Sequence, residues 1–95
     1  MAWRVIFHSD VDLDLVLLGA SEARTVLKVI RDRIQDGEPD KLGKPLAGAL
    51  AGCRRIRTGS IRIVYRVNVH LIEILIVAIG QRRDSEVYAV AETRV

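Results

Sequence analysis

The sequence predicts a single α+β domain in which a helical hairpin packs against a small β-sheet. A chain of 95 residues whose composition does not change from one segment to the next indicates one domain, residues 1–95. A content of 49 % hydrophobic and 28 % charged residues is typical of a globular chain and argues against disorder. Apolar residues recur at helical spacing in much of the first half and alternate as in strands in much of the second.

The N-terminus is expected to form a strand and then a short helix. Residues 3–8 are expected to be extended, because apolar side chains recur at every second position from Trp3. Ser9 or Asp10 is expected to cap the helix, and acidic residues near its start complement the positive end of the helix dipole. This helix is expected to run to about residue 18, where Gly19 stops it.

A second, longer helix is expected to follow directly, capped by Ser21 and ending at residue 35 or 36. Its apolar positions have the i, i+3, i+4, i+7 spacing of an amphipathic helix, and they are Ala23, Val26, Leu27, Ile30 and Ile34. Two helices joined by a tight turn form an αα-hairpin. Residues 37–52 contain both prolines and four glycines, so we expect an irregular surface connection there.

Three antiparallel strands and a last helix are expected to complete the chain, with the strands joining the first one in a single sheet. The expected strands are residues 53–57, 61–67 and 71–79, and the turns between them are residues 58–60 and 68–70. The last of these strands is apolar on both faces apart from Glu73, so it is expected to be central and covered by helices on at least one side. Gly80 ends it, and Ser85 is expected to cap a short helix that carries Tyr88.

Several classes of site and location are excluded by composition. Cys53 is the only cysteine, so no internal disulfide forms, and no spacing of cysteine and histidine fits zinc. The first residues lack the apolar segment of a signal peptide, and the longest apolar run, residues 74–79, is too short to span a bilayer. We therefore expect a cytoplasmic protein that contacts no membrane and needs no metal or cofactor.

Positive charge is concentrated in the second half of the chain. Residues 1–50 hold seven lysines and arginines against eight acidic residues, whereas residues 51–95 hold eight arginines against four. The planar guanidinium of arginine suits bidentate contact with phosphate. The charge alone is explained equally well by a basic surface that is simply solvated. The position of the arginines on the fold is therefore needed to distinguish such a surface from a phosphate-binding site.

Three of the arginines are expected to share one face of the sheet. In an extended chain Arg55 and Arg57 lie on one face and Arg54 on the other. A hairpin loop with an even number of residues adds Arg62 to the face of Arg55 and Arg57, whereas an odd loop places its guanidinium in the core at high cost. Like charges placed together destabilise a sheet, so this cluster points to a phosphate ligand.

Two segments of the sequence resemble a known family. The strings KPLAGALAGCRRIRTGSIRIVYRV and IGQRRDSEVYAVA are similar to RelE of the RelE/ParE superfamily, the toxin half of bacterial and archaeal toxin–antitoxin modules. The most specific motifs are R-x-R, G-x-x-R-I-V-Y and I-G-x-R-x-x-x-x-V-Y, in that order. The resemblance covers nearly the whole chain and implies a RelE-like domain. RelE-like toxins cleave mRNA in the ribosomal A site, whereas ParE-like relatives poison DNA gyrase on the same fold.

The resemblance implies a catalytic set of five residues. Arg55 and Arg57 match the basic pair of the R-x-R strand, Arg62 opens the next strand, Arg82 follows the I-G pair, and Tyr88 is the tyrosine of the last motif. RelE itself carries lysines in the R-x-R strand, and arginine cannot replace lysine as a base because it does not lose its proton. Further RNA-binding residues are expected at Lys44, Arg54 and Arg83.

The implied reaction is metal-independent cleavage of RNA, in which the ribose 2′-OH attacks its own 3′-phosphate and leaves a 2′,3′-cyclic phosphate and a 5′-OH end. Arg57 and Arg62 stabilise the charge that develops on the phosphoryl oxygens, with Arg55 as a further cation. Arg82 stabilises the leaving 5′-oxygen. Tyr88 either orients or deprotonates the 2′-OH, or it stacks on a splayed base.

The resemblance also implies partners and two alternatives. The partners are the 70S ribosome with its mRNA, and a cognate antitoxin that covers the basic face or displaces the final helix. One alternative is a ParE-like gyrase inhibitor that cuts nothing. The other is a degenerate, inactive relative, because arginines replace the lysines of RelE.

Other polar residues have structural interpretations. Glu73 is expected to pair with Arg66 across the hairpin rather than to act in catalysis. Tyr65 is expected to pack in the core, and so would Tyr88 without the resemblance. Cys53 is expected to be a small buried hydrophobic residue.

Overall fold

A computed structural model describes residues 2–81 and 86–95 of the chain. Its main elements in chain order are β1 (Arg4–Phe7), α1 (Val11–Leu18), α2 (Ala20–Val29), β2 (Lys44–Pro45), β3 (Cys53–Thr58), β4 (Ile61–Asn68), β5 (Glu73–Gln81) and α3 (Glu86–Arg94). A π-helical segment, Ile30–Gln35, continues α2, and a short 3₁₀ turn, Gly48–Leu50, precedes β3. The expected order of strand, helical hairpin, strands and final helix is confirmed.

The strands form one mixed sheet in the order β1-β5-β4-β3-β2. β1 runs parallel to β5, from the pair Arg4 and Glu73 to the pair Phe7 and Ile76, and the other neighbours are antiparallel. The helical hairpin lies in the connection from β1 to the rest of the sheet, which is the long crossover that a parallel pair requires. β5 is an internal strand with β1 and β4 as its neighbours, whereas the middle strand of the sheet is β4; the α+β class is confirmed.

Each face of the sheet has its own apolar core. The hairpin face is covered by α1, α2 and the π-helical segment, whose buried residues Val11, Val26 and Ile34 pack on the sheet. The α3 face is covered by α3 and the 3₁₀ turn, with Val87 and Leu50 buried against it. Since both faces of β5 are covered, a strand that is apolar on both faces is stable at this position.

Two predictions of local structure are wrong at the helical hairpin and the connection that follows it. Gly19, at φ +91°, is the only residue between α1 and α2, so α2 begins at Ala20 and Ser21 lies inside its first turn rather than at the cap. The connection also contains β2, where Lys44 and Pro45 pair with β3 as an edge strand. A strand of two residues is too short to show a periodic pattern in the sequence. Its proline is tolerated because β2 lies at the edge of the sheet.

The turn between β4 and β5 is longer than predicted, so that β5 begins at Glu73 rather than at residue 71. The side chain of Asn68 accepts hydrogen bonds from the backbone N–H groups of His70 and Leu71, both at 3.1 Å, which holds the chain in a turn. Glu73 then pairs with Arg4, at 3.9 Å, rather than with Arg66. The parallel register of β1 causes this change of partner, because it places Arg4 directly beside Glu73.

Candidate functional site

The β3–β4 hairpin brings three arginines to the α3 face of the sheet. Its loop has two residues and begins at Gly59, whose φ of +57° suits glycine in a tight turn. Arg57 lies opposite Arg62, and Arg55 lies on the same face as Arg57. The even-loop register predicted from the sequence is therefore confirmed. These three residues, Arg55, Arg57 and Arg62, are called the arginine patch below.

Helix α3 places Tyr88 against the arginine patch. The guanidinium carbon of Arg62 lies 5.4 Å from the centre of the Tyr88 ring, within the range of a cation–π contact. Both side chains are half-buried, and Tyr88 also packs against the core of the α3 face. Tyr88 therefore packs in the core of the α3 face and also contacts the arginine patch.

Two donors of the arginine patch are buried and find no acceptor in the part of the chain that the structure describes. Among the described residues nothing accepts a hydrogen bond from Nε of Arg55 or Nε of Arg62. An unsatisfied buried polar group costs about 1–3 kcal/mol, and more when it is charged. The positive charge and the unpaired donors of the patch suit an anionic oxygen ligand.

An open groove lies beside the arginine patch. Its polar lining consists of Lys44, Arg55, Tyr88 and Glu92, and its apolar lining comes from the segment before β3. Lys44 reaches this position because it pairs with Arg55 in the β2–β3 register. Glu92 was missed by sequence reasoning, although its place four residues after Tyr88 on a helix puts both on one face.

Arg54 lies on the other face of the sheet and is engaged by the loop before β2. Its Nε donates to the carbonyl of Leu42 at 2.6 Å, and a terminal nitrogen donates to the carbonyl of Gly43 at 3.3 Å. Its register partner Tyr65 is fully buried and donates its hydroxyl to the carbonyl of Pro39 at 2.9 Å. These bonds tie the loop to the hairpin face and separate Arg54 from the arginine patch.

Arg82, Arg83 and the expected helix cap Ser85 fall outside the described residues. Cys53 is buried, and burial raises the pKa of its thiol above the ordinary value of 9.0. Within residues 2–81 and 86–95 no group of three or more potential ligands could hold a metal ion, and no helix is long and apolar enough to cross a membrane.

Comparison with known proteins identifies the family. A family model described as ParE toxin of type II toxin–antitoxin system, parDE, matches residues 5–86, a range that includes the arginine patch. No curated protein matches the chain at the level of sequence.

The chain is similar to solved structures of RelE and of RelBE complexes. The RelBE2 toxin–antitoxin complex of Mycobacterium tuberculosis matches with a TM-score of 0.78 and 27 % identity over 86 % of this chain and 100 % of that one. A mutant of the Escherichia coli toxin RelE in the free state matches with a TM-score of 0.79 and 24 % identity over 100 % and 99 % of the two chains. The intact E. coli RelBE complex matches with a TM-score of 0.54 and 22 % identity over 87 % and 100 %.

The family model covers most of the chain, and the similar structures share its sheet and helices. The chain belongs to the ParE toxin family and is a toxin of the RelE/ParE superfamily from a type II toxin–antitoxin system.

Proposed function

We propose that this toxin is an endoribonuclease that cleaves mRNA in the A site of the translating ribosome. The observation that carries the proposal is the arginine patch beneath Tyr88, where two buried guanidinium nitrogens have no acceptor among the described residues. An RNA phosphate supplies the missing acceptors. A phosphate suits these donors because its anionic oxygens accept charge-assisted hydrogen bonds from guanidinium groups.

The proposed reaction is an internal phosphoryl transfer. The ribose 2′-oxygen forms a bond to the adjacent phosphorus while the bond from phosphorus to the 5′-oxygen breaks. The 2′-proton is removed as the attack proceeds, and the leaving 5′-oxygen gains a proton. Negative charge grows on the phosphoryl oxygens, where Arg57 and Arg62 donate hydrogen bonds and Arg55 adds a cation. Arg82 is assigned to the leaving oxygen.

Tyr88 is the residue proposed to act on the 2′-OH. Its ring is held by the contact with Arg62, which leaves the hydroxyl as the group that can orient the nucleophile. The groove beside it is open, so the toxin alone does not hold RNA in the attacking geometry. We infer that the ribosome supplies this geometry, since alignment of nucleophile and phosphate is a large part of the barrier.

An antitoxin is the second proposed partner. Two of the similar structures are complexes of a toxin with its antitoxin, RelBE2 and RelBE. A basic face with unsatisfied donors is best neutralised by acidic side chains, so an acidic segment of the antitoxin is expected to cover the arginine patch. Lys44 at the groove and Arg83 are expected to add affinity for either RNA or that segment.

The test is primer extension on a reporter mRNA in a reconstituted translation reaction. The wild-type toxin is expected to produce discrete cuts in the codon that occupies the A site, and Arg62→Gln is expected to abolish them. Arg66→Gln is the matched control, because Arg66 lies exposed on the same face of the same strand but outside the arginine patch. Intact mRNA with wild-type toxin contradicts the proposal, as does full cleavage by Arg62→Gln.

A gyrase inhibitor is the second candidate, and the match of the family model to ParE toxins favours it. It predicts that the purified toxin leaves mRNA intact in the translation reaction and blocks supercoiling of plasmid DNA by gyrase. Supercoiling that proceeds at the normal rate in the presence of excess toxin excludes this candidate. A toxin inactive in both assays supports the degenerate relative.

A further inference from the structure

A largely buried ion pair joins the two helices on either side of β5. Arg94, at the end of α3, donates to both carboxylate oxygens of Asp14 in α1, at 2.7 and 3.0 Å. The two side chains are only 9 % and 10 % exposed. Bidentate pairs of arginine and carboxylate have a well-defined geometry, so this contact constrains how the two helices lie relative to each other.

The same two residues also bind the backbone of β5. Arg94 donates to the carbonyl of Val77 at 3.1 Å, and Asp14 accepts from the N–H of Ile79 at 3.0 Å. β1 pairs with β5 only as far as Ile76, so the backbone beyond that point lacks a strand on this side. The ion pair replaces the missing strand, and it joins α1, β5 and α3 at one point.

Helix α3 depends on such contacts for its position. It has nine residues, and isolated helices of this length are marginal in water. Only Val87 and Ala91 of its residues are buried, and Val87 packs on Gly80 of β5. Tyr88 follows Val87 directly, so the place of its ring above Arg62 is set by how α3 lies on the sheet.

We propose that Asp14 and Arg94 are positioning residues that hold α3 so that the ring of Tyr88 lies over Arg62. Neither residue lines the groove or belongs to the arginine patch, and nothing in their own positions requires contact with RNA. The consequence for cleavage rests on the proposed nuclease function, whereas the consequence for the geometry of Tyr88 does not.

A purely structural role makes a different prediction. If the pair only added stability, its loss would lower the free energy of unfolding but leave Tyr88 unchanged in the molecules that remain folded. If the pair positions α3, the folded molecules themselves change. A measurement on the folded state at the Tyr88 ring therefore separates the two roles.

The test is ¹⁹F NMR of the full chain labelled with 3-fluorotyrosine. The chain has two tyrosines, so Tyr65 in the hairpin-face core is an internal reference, and Tyr88→Phe assigns the two signals. Arg62→Gln defines the shift of Tyr88 without the cation. Asp14→Asn and Arg94→Gln are expected to move the Tyr88 signal towards that position and to leave the Tyr65 signal in place.

Two further variants control for loss of stability and for failure to fold. Ile34→Val removes a methylene group from the hairpin-face core, and it is expected to lower stability without moving the Tyr88 signal. Arg94→Lys keeps the charge and loses one of the two bonds to Asp14, so it is expected to fold and to show a smaller shift. A Tyr88 signal that stays at the wild-type position in Arg94→Lys and Asp14→Asn overturns the inference.

The activity arm uses the ribosome-dependent cleavage reaction. Asp14→Asn is expected to lower the rate of cleavage at saturating ribosome concentration by up to about 100-fold, with little change in the concentration needed for half saturation. An equal fall for Ile34→Val overturns the positioning role in catalysis. If the wild-type toxin cuts no mRNA, the proposed function fails, and the NMR measurement still decides the geometric inference.

Discussion

The guanidinium of Arg62 and the ring of Tyr88 face each other at 5.4 Å, although one belongs to a central strand and the other to the last helix. The ring occupies the face of the guanidinium, while Nε of Arg62 stays buried without an acceptor among the described residues. The cation is therefore oriented before a ligand arrives. Such preorganised donors stabilise developing charge without a cost of reorganisation during the reaction.

Replacement of Tyr88 separates the hydroxyl from the ring. Tyr88→Phe keeps the ring over Arg62 and is expected to fold normally, but loss of the hydroxyl lowers single-turnover cleavage by about 100-fold or more. Tyr88→Ala removes the ring as well and is expected to weaken RNA binding in addition. Single-turnover cleavage on stalled ribosome complexes and RNA affinity measure the two effects. Wild-type cleavage by Tyr88→Phe contradicts a role for the hydroxyl and leaves the tyrosine as a support for Arg62.

The arginine patch is expected to bind inorganic phosphate in the absence of RNA. Phosphate at roughly five times its Kd adds about 1 kcal/mol to the free energy of unfolding, which for a chain of this size raises Tm by about 4–8 °C. Thermal unfolding at constant ionic strength, with chloride replaced by phosphate, measures this shift. Arg62→Gln is expected to lose most of it, and Arg24→Gln, on the exposed side of α2, to retain it. Equal shifts in the two variants indicate non-specific screening instead of a site.

The arginine patch could be predicted because it depends on local rules. Alternation along a strand places Arg55 and Arg57 on one face, and the parity of a short loop adds Arg62. Placing the whole side chain of Arg62 in the apolar core is so unfavourable that only one register remains. The helices and the three long strands could be predicted for the same reason, since each depends on periodicity within a short stretch of sequence.

The contacts that position the site could not be predicted, because they join distant parts of the chain. Nothing near Asp14 indicates that its partner is Arg94, and its place in the first turn of α1 suggests only an interaction with the helix dipole. Strand alternation does predict that Arg54 lies on the opposite face. Its hydrogen bonds to the loop before β2 could not be predicted, because that loop has no regular structure. The partner of Glu73 depends on a parallel pairing that sequence periodicity does not reveal.

The hydroxyl of Tyr65 is expected to make stability depend on alkaline pH. Burial raises the pKa of Tyr65 above its ordinary value of 10.0, and the nearby charge of Arg54 opposes this only partly. Because the unfolded chain ionises first as pH rises, the stabilising contribution is complete below pH 10 and is lost as pH rises through the pKa of the folded state. Urea unfolding between pH 8 and about 11.5 is therefore expected to show a fall in the free energy of unfolding.

The fall attributed to Tyr65 is measured best in a Cys53→Ala background, because burial also raises the pKa of the thiol and gives a slope of the same sign. In this background Tyr65→Phe is expected to reduce the decrease in the free energy of unfolding with rising pH. A slope that persists unchanged after Tyr65→Phe assigns the effect to other groups and contradicts the prediction.

Arg54 and Arg55 are neighbours in sequence with opposite expected effects. Arg54→Ala removes the bonds to Leu42 and Gly43 and is expected to lower the free energy of unfolding by about 1–3 kcal/mol, with RNA affinity nearly unchanged. Arg55→Ala removes a buried donor that has no acceptor among the described residues, so it is expected to leave stability unchanged or raised and to weaken RNA binding. Urea unfolding and the salt dependence of RNA binding measure the two properties. A loss of RNA affinity in Arg54→Ala equal to that in Arg55→Ala would place Arg54 in the interface after all.

The approach of α3 to the sheet depends on the absence of a side chain at Gly80. A Cβ at this position lies 3.0 Å from Cβ of Val87 and 3.2 Å from its Cγ2, closer than side chains normally pack. Gly80→Ala is therefore expected to push α3 away from β5 and to cost about 1–3 kcal/mol of stability. Since Tyr88 follows Val87, the same displacement separates the ring from Arg62 and is expected to lower mRNA cleavage.

Val87→Ala makes room for the added methyl group and supplies the test of this packing. Alone it is expected to destabilise by leaving a cavity, but combined with Gly80→Ala it is expected to recover stability, so that the two effects are far from additive. Urea unfolding of the wild type, both single variants and the double variant gives the coupling energy. Additive effects indicate that the contact between Gly80 and Val87 does not limit the approach of α3 to the sheet, and they contradict the prediction.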